Sequence, residues 1–107
     1  MMMDDRRGVQ RKPLKAKALL AVDGGSPLWA RTVDISANGI GIASDEPLPV
    51  GVSARVRFEM FYDGRSHVVD VKGTFAYCIF SSGEFKAGFT FSLLDLPTMT
   101  LITKYLR

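Results

Sequence analysis

The sequence predicts an all-β chain: a six-stranded antiparallel β barrel, a short C-terminal helix and a flexible N-terminal arm. Three observations carry this expectation. Apolar residues recur at every second position in several separate runs, the spacing of half-buried strands. Short segments rich in Gly, Pro, Asp and Ser divide the runs and favour turns. After Asp95 the apolar period changes to that of a helix.

Residues 1–13 show no periodicity and end at Pro13, so they read as a flexible arm, with residues 14–107 as the folded domain. In residues 15–22 Ala16, Ala18, Leu20 and Val22 share one face, opposite Lys15 and Lys17. Residues 23–27 turn the chain. Residues 28–36 and 39–44 read as the second and third strands, with Trp29, Val33 and Ile35 in one alternating set. The fourth, 53–60, points Ala54, Val56, Phe58 and Met60 inward, and Asp63-Gly64 signals a hairpin. The fifth, 67–80, points Val69, Val71, Phe75, Tyr77 and Ile79 inward. Ser82-Gly83 then reverses the chain into 84–93, with Phe85, Ala87, Phe89, Phe91 and Leu93 inward. Leu101, Ile102, Tyr105 and Leu106 follow helical spacing, which predicts a helix over 96–106 capped by Asp95 with Pro97 in its first turn.

A chain of 107 residues that is 47% hydrophobic and 23% charged fits one domain with its own core. The single cysteine, Cys78, excludes a disulfide framework within the chain, and no front segment resembles a signal peptide. No apolar run reaches membrane-spanning length. A reducing, cytoplasmic setting fits these features. The net charge of +3 is unevenly placed. Six basic residues oppose two acidic ones in residues 1–17, whereas the rest of the chain is nearly balanced. A basic arm of this kind recruits phosphates or serves as a solvated tail.

One polar knot stands out: Asp34-Ile35-Ser36-Ala37-Asn38-Gly39. In an extended strand Asp34 and Ser36 point to one side. A carboxylate beside a hydroxyl is an acceptor pair suited to a base edge; the same groups also satisfy turn amides as Asx-type turns do. Asn38-Gly39 is expected to supply positive φ values, and Gly39 to leave the backbone bare for a flat ligand. In the arm, Arg7 and Arg11 lie four residues apart. Each guanidinium is a planar fork of donors suited to phosphate or to the guanine O6/N7 edge.

Arg7-Gly8-Val9-Gln10-Arg11 followed by Asp34-Ile35-Ser36-Ala37-Asn38-Gly39 resembles the two-part signature of PilZ domains, RxxxR and (D/N)xSxxG. The segment 85–96, with Gly88 and Phe89 or Phe91, and the helix after it are similar to the end of that fold. The resemblance covers residues 6–107. It implies a six-stranded barrel of the PilZ-like, split-barrel type and a non-catalytic receptor for the bacterial second messenger cyclic di-GMP. By position, Arg7 and Arg11 would grip phosphates and guanine edges. Asp34 and Ser36 would bond a guanine, and Gly39 would keep the turn open. The arm would order on the barrel when ligand arrives and relay the signal to an effector protein. No cofactor or metal is implied. Whether one ligand or a stacked pair binds, and the oligomeric state, stay open.

Other functions find less support. His67 and Cys78, each the sole residue of its kind, lie in one strand and read as a surface and a packing residue, so no enzyme activity is expected. The carboxylates show no metal-ligand spacing. A small basic barrel that binds single-stranded nucleic acid would need aromatic and basic residues interleaved on one face. The alternation instead puts Trp29 and Tyr77 on the apolar face, although a place for Tyr77 at the barrel mouth would free it to stack. A protein-interaction module that has lost its ligand is the remaining alternative.

Overall fold

Strands form where the alternation predicts them, and the computed structural model describes residues 10–107. A two-residue strand, β1 (Lys12–Pro13), comes first. It is followed by β2 (Lys17–Val22), β3 (Leu28–Ile35), β4 (Gly39–Ser44), β5 (Ser53–Tyr62), β6 (Arg65–Ser81) and β7 (Glu84–Phe91), and then by helix α1 (Leu96–Leu106). The sheet order is β1-β3-β2-β5-β6-β7-β4, and β3 also pairs with β4. That last pairing closes β2 to β7 into a six-stranded antiparallel barrel.

The alternating residues fill the barrel. Ala54, Val56, Phe58 and Met60 are all buried, as their period of two requires. Phe75 and Phe89 meet edge to face, with ring centroids 5.1 Å apart, at the centre of the aromatic core. Asp63 and Gly64 adopt positive φ (55° and 76°), the backbone of a tight hairpin turn, and Ser82 and Gly83 repeat it. The helix begins at Asp95, whose carboxylate accepts the Thr98 amide at 2.8 Å. It buries Ile102 and Leu106 against the core.

Two β-bulges change which way side chains face. Thr32 pairs with Ile42 and Asp34 with Gly41, so Val33 is an extra residue in β3. Phe75 pairs with Phe89 and Tyr77 with Gly88, so Ala76 is an extra residue in β6. An extra residue inverts the alternation beyond it. Trp29 and Val33 therefore lie outside while Ile35 lies inside. Tyr77 and Ile79, expected in the core, are exposed. Leu93 lies beyond the end of β7 and is also exposed. With Trp29 outside, the expected separation of aromatic from basic residues does not hold on the outer face.

The described end of the arm is anchored rather than loose. Lys12 and Pro13 pair with Ile35 and Asp34. The Gln10 side-chain amide donates to the Leu106 carbonyl, and Lys12 Nζ donates to the Tyr105 carbonyl at 2.9 Å. Tyr105 returns a hydrogen bond from its hydroxyl to the Pro13 carbonyl at 2.8 Å. The Gln10 and Lys12 bonds satisfy helix C-terminal carbonyls that have no partner within the helix. Arg7 lies outside the described residues.

Gly39 does not have positive φ, contrary to the expectation from Asn38-Gly39. It is required by packing: a methyl group there would fall well inside contact distance of the Phe89 carbonyl oxygen across the β4–β7 pair. Gly39→Ala therefore forces β4 from β7 and is expected to destabilise the fold by about 1–3 kcal/mol, as overpacking does. Denaturant unfolding checks this, and an unchanged midpoint contradicts it. At the helix cap, the hydrogen bonds from Thr98, side chain first and backbone second, hold the Asp95 carboxyl below its ordinary value of 3.8. A lowered native value means that this stabilisation is present above the ordinary value and is lost as pH falls through the native one. Asp95→Ala is expected to lower the melting temperature at neutral pH and to flatten its decline below about pH 4.

Candidate functional site

The two motif segments converge on one edge of the barrel. Arg11 Nη1 lies 3.0 Å from Asp34 Oδ1 in an ion pair at the surface. Strand pairing places both residues. Pairing of β1 with β3 carries Arg11 alongside the end of β3, and the β3 bulge turns Asp34 outward over β4. A methyl group at Gly41 would lie 2.7 Å from the Asp34 carboxylate oxygen, so this glycine makes room for the acid.

Ser36 has a different task from Asp34. Its side chain is buried, and its hydroxyl accepts the amides of Asn38 and Gly39, both at 3.2 Å. The hydroxyl also approaches the Gly39 carbonyl at 3.3 Å. The Ser36 amide donates to that same carbonyl at 2.8 Å. Of the two uses open to the polar knot, Ser36 therefore performs the turn-closing one. Asp34 makes no such bond and instead faces the arm. The pair that strand alternation would set side by side is split, because Ser36 lies just past the end of β3.

Beside the ion pair lies a hollow of about 190 Å³, bordered by Arg11, Ser36, Asn38, Tyr77, Gly88 and Thr90. Sequence reasoning missed how this hollow is built. Asp34 pairs with Gly41, Gly41 with Gly88, and Gly88 with Tyr77, a single row across four strands. Two glycines thus form its middle, and each end is a residue at a bulge. A methyl group at Gly88 would strike the Tyr77 ring, so the half-exposed ring lies over a bare backbone. The clue available in the sequence was two glycines inside strand patterns, which mark bulges or close approaches.

The site offers a cation, a carboxylate and an exposed aromatic face around a shallow depression. That set suits a ligand combining phosphate with a flat, donor-bearing ring. No group of metal-ligating side chains occurs among the described residues. A wider depression of about 820 Å³ on the barrel's outer face contains none of the motif residues. Its size does not make it the chemical site, because the charged motif side chains meet elsewhere. No described helix is long and apolar enough to cross a membrane.

Comparison with known proteins places this geometry. No curated protein matches the sequence. The fold is similar to that of the Bacillus subtilis inhibitor of motility (MotI/DgrA), with a TM-score of 0.83 and 14% identity, over 99% of this chain and 52% of that one. It is similar to Escherichia coli YcgR in complex with c-di-GMP, with a TM-score of 0.77 and 17% identity, over 94% of this chain and 44% of that one. The PilZ domain of YcgR with c-di-GMP aligns with a TM-score of 0.74 and 14% identity, over 95% of this chain and 89% of that one. The chain thus spans about half the length of the first two proteins. The PilZ domain family matches residues 5–107, so nearly the whole chain is accounted for, and the chain belongs to that family.

Proposed function

We propose that this chain is a non-catalytic receptor that binds cyclic di-GMP in the hollow beside Arg11 and Asp34, and that binding orders the front of the chain for an effector protein to read. The observation that carries the reading is the meeting of Arg11 and Asp34, one from each half of the signature, at 3.0 Å. The cyclic di-GMP complexes of YcgR support it by likeness of fold.

The chemistry follows from the groups present. The Arg11 fork serves a phosphate or the O6/N7 edge of a guanine. The Asp34 carboxylate takes the adjacent N1–H and amine of a guanine. The exposed Tyr77 ring offers a stacking face. Ser36 and Gly39 contribute shape: they fix the turn on which the other groups are arranged. Arg7 supplies a second guanidinium, in residues outside those described.

Binding must offset the freedom lost by residues that order, about 1–2 kcal/mol each. Charge-assisted bonds of roughly 1.5–3 kcal/mol do so when only a few residues are newly fixed. Gln10 to Pro13 are already anchored to the helix and β3, so they add no ordering cost.

Calorimetric titration with cyclic di-GMP tests the reading. The parent chain is expected to bind at about micromolar or tighter. Arg11→Ala abolishes binding, and Asp34→Ala and Tyr77→Ala each weaken it by about tenfold or more. Losing an exposed ion pair costs the fold only about 0–1 kcal/mol, so both charge variants stay folded. Normal binding by Arg11→Ala sinks the site. A separate measurement addresses the relay. Amide exchange over residues 5–12 is expected to slow when ligand saturates the protein, and unchanged exchange rejects the ordering step while leaving binding intact.

A further inference from the structure

A second surface contains none of the motif residues. The outer face of β2, β3, β5 and β6 bears an open groove of about 820 Å³ in which Leu19, Trp29, Phe61 and Val68 lie among Lys15, Lys17 and Arg57. Trp29, Phe61 and Val68 are 66%, 67% and 65% exposed. Strand register makes the patch continuous. Trp29 pairs with Leu19 across β2 and β3, and Leu19 with Arg57 across β2 and β5. Glu59 pairs with Val68, and Phe61 with Ser66, across β5 and β6. Apolar residues scattered singly over a surface need no explanation, whereas a contiguous patch rimmed by charge marks an interaction site.

The surroundings limit what fits. In the middle of the groove β2 is paired on both sides, with β3 and with β5, so a partner seated there is held by side chains. The groove holds three cations against one carboxylate, Glu59. Arg57 is partly engaged, with Nη2 3.3 Å from Asp70 Oδ2. A single-stranded nucleic acid would use rings interleaved with cations. Here aliphatic Leu19 and Val68 share the groove with the rings and give bases little to stack on. We propose that the groove docks an acidic segment of a partner protein. An apolar side chain of that segment seats against Trp29 and Phe61, and its carboxylates meet Lys15, Lys17 and Arg57.

Trp29 is the chain's single tryptophan, so its emission reports on this groove directly. The probes are a short peptide alternating glutamate with leucine and phenylalanine, its twin with lysine in place of glutamate, oligothymidylate, and phosphatidylglycerol vesicles. The acidic peptide alone is expected to shift Trp29 emission to the blue. Lys17→Glu and Phe61→Ser, both at exposed positions, are expected to weaken it by about tenfold or more. Arg11→Ala leaves it unchanged, so failure here is distinct from failure at the ligand site. No response, or an equal response to the lysine twin, overturns the proposal. Tighter binding of oligothymidylate or vesicles overturns it by assigning the face to nucleic acid or to a membrane surface. A rise in peptide affinity in the full chain carrying Asp4→Lys and Asp5→Lys overturns it in favour of the chain's own front as occupant.

Discussion

Closure of the barrel at the turn between β3 and β4 is the constraint on which the rest of the structure depends. To close the sheet, β4 must fit between β3 and β7 at normal strand spacing. The chain meets this with a buried hydroxyl and a missing side chain. Ser36 binds the amides of Asn38 and Gly39, and Gly39 lets β4 approach the Phe89 carbonyl. With β4 fixed, Gly41 faces Gly88, and the row from Asp34 to Tyr77 follows. The residues that read as a binding motif therefore divide by task. Ser36 and Gly39 set the shape, and Arg11 and Asp34 carry the charge at the surface.

This division explains what was legible in the sequence. The strands were, because alternation is dictated by burial on one side. The helix was as well, since Asp95, Pro97 and the apolar spacing agree on its start and its buried face. Side-chain direction beyond Val33 and Ala76 was not, because counting by twos assumes no extra residue. A bulge violates that count without leaving a strong local mark. One such error placed Trp29 inside and another placed Tyr77 inside, and both residues are exposed. The glycines opposite the bulges, Gly41 and Gly88, were the marks present. The anchoring of Gln10 to Pro13 had no local signal at all: its partners are helix carbonyls some ninety residues away in sequence.

That anchoring ties the site to the helix. Residues in extended backbone alternate sides, and Gln10 and Lys12 reach the helix end while Arg11 reaches Asp34. Lys12 adds a cation near the C-terminal end of the helix dipole and lies 4.7 Å from the Tyr105 ring centre. Rotation of this short segment about its own axis cannot reorient Arg11 and leave the helix contacts untouched. The charge at the site and the packing of the last helical turn are held by consecutive residues of one short segment.

The weakness of the Arg11–Asp34 pair matters as much as its position. An exposed pair of this kind contributes about 0–1 kcal/mol, because water already solvates both partners. A buried pair would be costly to separate, since each charge would be left without compensation. Arg11 and Asp34 are instead held near one another by strand pairing rather than by their own attraction. In the proposed function, an incoming phosphate that draws off the guanidinium, and a base edge that takes the carboxylate, replace one weak contact with charge-assisted bonds of roughly 1.5–3 kcal/mol each. The backbone thus supplies the positioning, and the side chains stay available for exchange.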